Sequence, residues 1–286
     1  RDARYGARLL LRNPGSSAVA IVTLALGIGV TSAVFTIVNA VLFRPLPFHD
    51  PDRLVAVIAV PSESAGFHSV PNASFADLQR LPALAASTTH SMYPPVTLSG
   101  ASDPVRLKAA FVSADFYRTL GVRPMLGPGV TPGDEGRIGP AVVLSERLWR
   151  ARFGADPAVI GRSVTVDGVL RTITGVMPPS FDFPDRAEAW LPLNASPFTG
   201  PGFSFPVVAR LRDDVTLAEA RQQVQALGAA PGDPALGLAP LKDVLVGQSR
   251  GPLLIFMAAT GVVLLVSMTN VANLLLMRAA RRSREI

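Results

Sequence analysis

The chain has 286 residues, 49% of them hydrophobic, a formal net charge of +6, a pI near 10.6 and no cysteine. That length allows one or two domains, and without cysteine there is neither a disulfide framework nor a thiolate metal site. The basic balance does not point to nucleic acid, because the excess charge is not gathered on a globular part.

The excess lies at the two ends. Residues 13–43 and 251–277 carry no charged side chain over 31 and 27 positions. Arg1, Arg4, Arg8 and Arg12 against Asp2 give +3 before the first run. Arg278, Arg281, Arg282 and Arg284 against Glu285 give +3 after the second. The 207 residues between, 44–250, hold 19 basic and 19 acidic side chains and sum to zero. Apolar runs longer than ~18 residues, flanked by arginine on the cytoplasmic side, are what a bilayer selects. Both ends are therefore expected in the cytoplasm and the neutral middle on the far side.

In residues 1–12 the four arginines recur at three- and four-residue spacing. This suits an amphipathic helix on the membrane surface, and equally a basic leader without structure. Asn13-Pro14-Gly15 breaks the chain, and Ser16 or Ser17 can cap the first membrane helix, expected over 16–43. That apolar run is about twice a signal-peptide h-region and lacks a small-x-small cleavage site, so it reads as a retained helix. Thr23, Gly27 and Thr31 form a small-xxx-small row on one face, which permits close helix contact. A second membrane helix is expected over 251–277. Asn270 and Asn273 share one of its faces, and an amide in lipid wants a helix partner unless it reaches the headgroups.

The middle reads as strands mixed with helices. Residues 54–60 form a buried strand, and Ser74 opens a helix running to about Ala86. Residues 96–98 and 105–112 are strands, Ser113 caps a short helix stopped by Gly121, and residues 141–144 are a strand. Ser145 caps a helix stopped by Gly154. Asp167-Gly168 between 163–166 and 169–174 signals a type I′ hairpin. A strand at 206–211 precedes the capping box of Thr216 and Glu219. The fold class is α+β: a mixed sheet domain between two membrane helices. Residues 50–104 and 205–246 are expected to make one porter-like part, with 105–204 inserted as a β-rich subdomain. The segment 278–286 begins a cytoplasmic stretch.

No pattern carries catalysis, a cofactor or a metal. The chain has no P-loop and no G-x-S-x-G, and Gly127-Pro128-Gly129 lacks the third glycine of a dinucleotide fingerprint. His49, His68 and His90 are scattered without metal-ligand spacing. Phe181, Phe183, Trp190, Phe198, Phe203 and Phe205 read either as core or as an apolar patch that holds a partner or cargo.

Several segments resemble a known family. Asp2-Ala3-Arg4-Tyr5, Thr23-Leu24-Ala25-Leu26-Gly27-Ile28-Gly29, Arg44-Pro45-Leu46-Pro47 and Asp50-Pro51-Asp52-Arg53-Leu54-Val55 are similar to the start of MacB/FtsX-type ABC transporter permeases. The likeness is greatest to the duplicated acidobacterial-type permeases. Leu120-Gly121-Val122-Arg123-Pro124, Gly154-Ala155-Asp156-Pro157 and Gly175-Val176-Met177-Pro178-Pro179 continue it. Asn270-Val271-Ala272-Asn273 and the run from Arg278 to Glu285 resemble the family's second membrane helix and its entry to the coupling segment. The resemblance implies a bacterial inner-membrane, multi-pass permease that works as a homodimer or pseudo-dimer. It further implies an ABC ATPase partner that hydrolyses the ATP, and in some members a periplasmic adaptor. Motion from the ATPase would pass to the periplasmic domain for efflux or extraction of a hydrophobic or peptide-like cargo. Arg278, Arg281, Arg282, Arg284 and Glu285 then fall at the ATPase-coupling position. Only the amino-terminal part of such a permease is covered, since its third and fourth helices have no counterpart before Ile286. Topology alone fits a rival equally, a two-helix sensor with a periplasmic ligand-binding domain.

Overall fold

The computed structural model describes residues 14–43, 46–60, 69–92, 95–100, 103–131, 141–193, 204–227 and 235–282. Two compact units emerge, one of Arg1–Arg44 with Val246–Ile286 and the other of Pro45–Leu245. The basic leader expected over 1–12 lies outside the described residues, as do His68, Phe198, Phe203, Arg284 and Glu285.

The first helix, α1, spans Pro14–Val38 and continues as a π-helical turn over Asn39–Phe43. It begins slightly before the expected serine caps, because proline fits the first helical turn, where its missing N–H is not needed.

The second unit is a mixed sheet with helices on it. Its strands are β1 (Leu54–Val60), β2 (Ser69–Pro71), β3 (Leu84–Met92), β4 (Val96–Ser99), β5 (Val105–Leu107) and β6 (Ala109–Val112). After these come β7 (Ala141–Leu144), β8 (Ser163–Val166), β9 (Val169–Val176), β10 (Ala189–Pro192), β11 (Ser204–Leu211) and β12 (Ala235–Pro240). The helices are α2 (Asn72–Gln79), α3 (Phe116–Leu120), α4 (Glu146–Phe153) and α5 (Leu217–Ala226). The chain of strand neighbours runs β12-β1-β11-β3-β6-β10-β7-β9-β8-β4-β5, with β2 pairing β11. Most pairs are antiparallel; β6 with β10 and β7 with β9 are parallel. The first strand of the domain thus sits between the last two, β11 and β12.

Period-two alternation explains how one sheet serves three cores. Leu54 and Ala56 of β1, Ala110 and Val112 of β6, Val143 of β7 and Trp190 of β10 all enter one aromatic-rich core. The alternate residues leave by the other face. Val55 and Val57 pack with Leu78, Ala220 and Val224 under α2 and α5. Phe111, Val142, Leu144 and Leu191 pack with Leu148 and Trp149 of α4. A strand covered on both faces reads as an unbroken apolar run, which is why β1 was legible.

Three local expectations change. The helix expected from Ser74 to Ala86 is already over at Gln79, and β3 begins at Leu84. Residues 105–112 split at Lys108, whose N–H donates to Glu188 Oε2 at 3.1 Å and whose carbonyl accepts from Glu188 N–H at 2.8 Å. That exchange ends β5's pairing with β4 and starts β6's pairing with β3 and β10. Ser113 does not cap α3. Its hydroxyl bonds Thr88 Oγ1 at 2.7 Å and accepts from Thr89 N–H at 3.2 Å, tying α3's approach to β3.

The final helix, α6, spans Leu241–Arg282 without a break and passes through Pro252. It starts earlier than expected because Leu241 and Val244 are buried in the aromatic-rich core, a short amphipathic turn that hydropathy alone does not register. Ile21–Phe43 and Ser249–Asn273 are each long and apolar enough to cross a membrane.

Candidate functional site

In the membrane-helix unit, burial falls on one stripe of each helix. On α1 the least exposed positions include Gly27, Val34 and Val38, with Thr23 and Thr31 half-buried beside them. On α6 the stripe is Leu253, Met257, Thr260, Leu264, Ser267 and Val271, alternating four and three residues apart, the spacing of a helix seam. Gly27 marks a contact between them. A Cβ there would lie 3.4 Å from Leu264 Cδ1 and from Ser267 Oγ, so glycine lets the two backbones approach. Three hydroxyls in the seam are satisfied within their own helices. Thr31 donates to Gly27 O at 2.8 Å, Thr260 to Met257 O at 2.9 Å and Ser267 to Val263 O at 2.8 Å. Asn270 and Asn273 are exposed, away from this stripe. Arg278, Arg281 and Arg282 form the last turns of α6.

In the sheet domain, an open cleft of about 620 Å³ lies between the loop before β1, helix α3 and residues 121–130. Its floor is apolar: Tyr117, Val122, Pro124 and Val130. Arg118 and Arg123 supply its cations, and His49 lines it beside them. The wall is fastened to β9, with Met125 N–H donating to Val176 O at 2.8 Å and Gly129 N–H to Thr174 O at 3.1 Å.

Arg210, projecting from β11, clamps the other side. Its Nε donates to Thr119 O at 2.8 Å, Nη2 to His49 O at 2.8 Å and Nη1 to Asp50 O at 3.4 Å. Burial pulls this guanidinium below its ordinary value, Asp50 and Asp213 oppose that, and it remains a cation. Gly121 ends α3 in the left-handed region at φ 67°, and a Cβ there would sit 2.7 Å from His49 Cβ. Only glycine lets the clamp close.

Behind the cleft the rings form a packed group. Phe116 stacks on Phe183 with centroids 6.0 Å apart, Phe181 tilts on Trp190 at 5.2 Å, and the Trp190 indole N–H donates to Phe183 O at 2.8 Å. Phe181, Phe183, Trp190 and Phe205 are all buried, so these four are core. His90 lies 5.1 Å from the Phe183 ring, and burial lowers its pKa to about 4. Burial likewise pushes the Tyr117 phenol well up. The cleft was not anticipated. Its residues entered the sequence reading only separately, as Leu120-Gly121-Val122-Arg123-Pro124, as His49 among the scattered histidines and as Pro128 in a failed dinucleotide fingerprint.

Taken together, these features define a mixed α/β domain bracketed by membrane-length helices. The chain belongs to the MacB-like periplasmic core domain family, whose model matches residues 17–227. Two solved structures share the fold. The periplasmic region of MacB from Actinobacillus actinomycetemcomitans is 12% identical, with 76% of this chain and 98% of that chain covered at a TM-score of 0.54. The extracellular domain of the noncanonic ABC-type transporter YknZ from Gram-positive bacteria is 13% identical, with 65% and 99% covered at a TM-score of 0.51. No curated protein matches the chain.

Proposed function

We propose that this chain is part of the membrane-spanning permease of an ABC-type transporter, seated in the bacterial inner membrane and passing motion to its extracytoplasmic domain. The observation that carries this reading is the family match over 17–227 together with a membrane-length helix at each end of the domain. ATP is hydrolysed by a partner ATPase. Closure of that ATPase pushes the segment holding Arg278, Arg281, Arg282, Arg284 and Glu285. The continuation of a single helix from Leu241 to Arg282 supports this reading, because one element then links the domain's last strand to the arginine-bearing end.

Residues 50–104 and 205–246 act as one porter-like part, with 105–204 inserted; the pairing of β1 with β11 and β12 supports the porter-like part, while β4, within 50–104, pairs with β5 and β8 of the insert. The exposed amides of Asn270 and Asn273 meet another membrane helix, in the same permease or in a second copy. The cargo is a hydrophobic or peptide-like molecule, delivered with or without a periplasmic adaptor.

Charge reversal tests the coupling. Arg278, Arg281, Arg282 and Arg284 are changed together to Glu in the full-length gene product, and co-purification of its cognate ABC ATPase is measured. The reading predicts loss of the ATPase with the permease still in the membrane. Unchanged co-purification would refute the coupling assignment.

A further inference from the structure

We propose that the cleft beside α3 is a binding site for an anionic amphiphile, an alkyl or acyl chain ending in a phosphate or carboxylate. The inference rests on the cleft alone and stands whether or not the coupling reading holds.

Among the described residues the cleft is lined by two guanidinium groups, Arg118 and Arg123, together with His49, and by no carboxylate. The nearest acids are already engaged: Asp50 contacts His49 Nε2 at 3.1 Å and Asp115 pairs with Arg118 at 3.4 Å. Both pairs are exposed, and exposed pairs are weak enough for a ligand anion to displace. Arg123 has no ion pair among the described residues. A guanidinium offers a planar fork that matches phosphate or carboxylate oxygens.

The backbone at the end of α3 offers an anion little opposition. A helix C-terminus ordinarily presents bare carbonyls, which repel negative charge. Here three carbonyls at the end of α3 are occupied. Thr119 O takes Arg210, Arg118 O takes Gly121 N–H at 3.2 Å, and Tyr117 O takes Val122 N–H at 3.0 Å.

The floor selects a tail. A bare anion gains nothing from Tyr117, Val122, Pro124 and Val130, whereas every methylene laid on them leaves water. The cleft's size falls within the ~300–1,000 Å³ usual for small-molecule sites, and its wall is preformed by the bonds to β9. The amphiphile has two possible sources. It is either an anionic lipid of the bilayer or a free fatty acid or alkyl phosphate.

The test uses the full chain in phosphatidylcholine nanodiscs, titrated calorimetrically with dodecyl phosphate, inorganic phosphate and dodecyl maltoside, with empty nanodiscs subtracted. Saturable binding of dodecyl phosphate is expected, weakened about tenfold or more by Arg123→Glu and by Arg118→Glu. Arg123→Gln removes the charge without reversing it and keeps the test decisive should a reversal unfold the domain. Repeating the titration with phosphatidylglycerol in the nanodisc separates the sources. Competition identifies bilayer lipid, no competition identifies the soluble amphiphile, and each supports the site. Inorganic phosphate or dodecyl maltoside binding as tightly as dodecyl phosphate would overturn the proposal. So would wild-type affinity in both Arg123 variants.

Discussion

Arg210 shows how much one side chain can hold. It ties the end of α3 to the loop at His49 and Asp50 through three carbonyls. Hydrogen bonds from a charged donor contribute about 1.5–3 kcal/mol each when buried, and this guanidinium is only part-buried. Arg210→Met should lower stability by about 2 kcal/mol, read as a lower thermal midpoint of the purified chain in detergent. An unchanged midpoint would mean the loop is held by other contacts. His90 gives a pH dependence. Its folded pKa of about 4 lies below the ordinary histidine value of 6.5, so the unfolded chain binds the extra proton first. The stability associated with neutral His90 is complete above pH 6.5 and is lost as pH falls from there towards 4, by up to about 3 kcal/mol. His90→Phe should flatten that part of the profile relative to wild type; parallel profiles would contradict it. Neither residue was legible in the sequence. Arg210 reaches Thr119 and His49 across separations of 91 and 161 residues, and no local spacing announces such a clamp.

Elements with their own local chemistry were readable. Thr216 and Glu219 form both halves of the capping box. Asp167 and Gly168 both take positive φ, at 48° and 79°, as a type I′ turn requires. Ser145 accepts from Leu148 N–H at 3.2 Å and starts α4. β3 is the opposite case. Its buried stretch is polar, with Ser87, Thr88, Thr89, His90 and Ser91 all shielded, so no apolar alternation marks it. Partners elsewhere in the chain make the strand tenable: Ser113 for Thr88 and Thr89, and Pro206 O for the Thr89 hydroxyl at 3.1 Å. At the membrane helices the small-residue row pointed to Gly27, and a Cβ there meets Leu264 and Ser267. Gly27→Leu should overpack the seam at a cost of about 1–3 kcal/mol and lower the thermal midpoint. Gly29→Leu is the control, since nothing lies within 4 Å of its Cβ position. Equal effects at both glycines would show that Gly27 is not a packing position.

At the scale of the whole molecule, charge did most of the informing. The neutral middle and the basic ends pointed to two membrane-length helices flanking a folded body in the sequence before any strand was placed. The three-core arrangement was not readable, because each strand's two faces are assigned only once its neighbours in the sheet are known. β6, for example, sends Ala110 to one core and Phe111 to another. The central claim is that the chain crosses the bilayer twice, with both ends in the cytoplasm. The absence of cysteine makes the direct measurement clean, because any introduced thiol is the only one present. Ala151→Cys, on the exposed side of α4, and Ser283→Cys are labelled separately in spheroplasts with a membrane-impermeant maleimide. The account predicts labelling at position 151 without lysis and at position 283 only after permeabilisation. Labelling of position 283 in intact spheroplasts, or of 151 only after lysis, would contradict it.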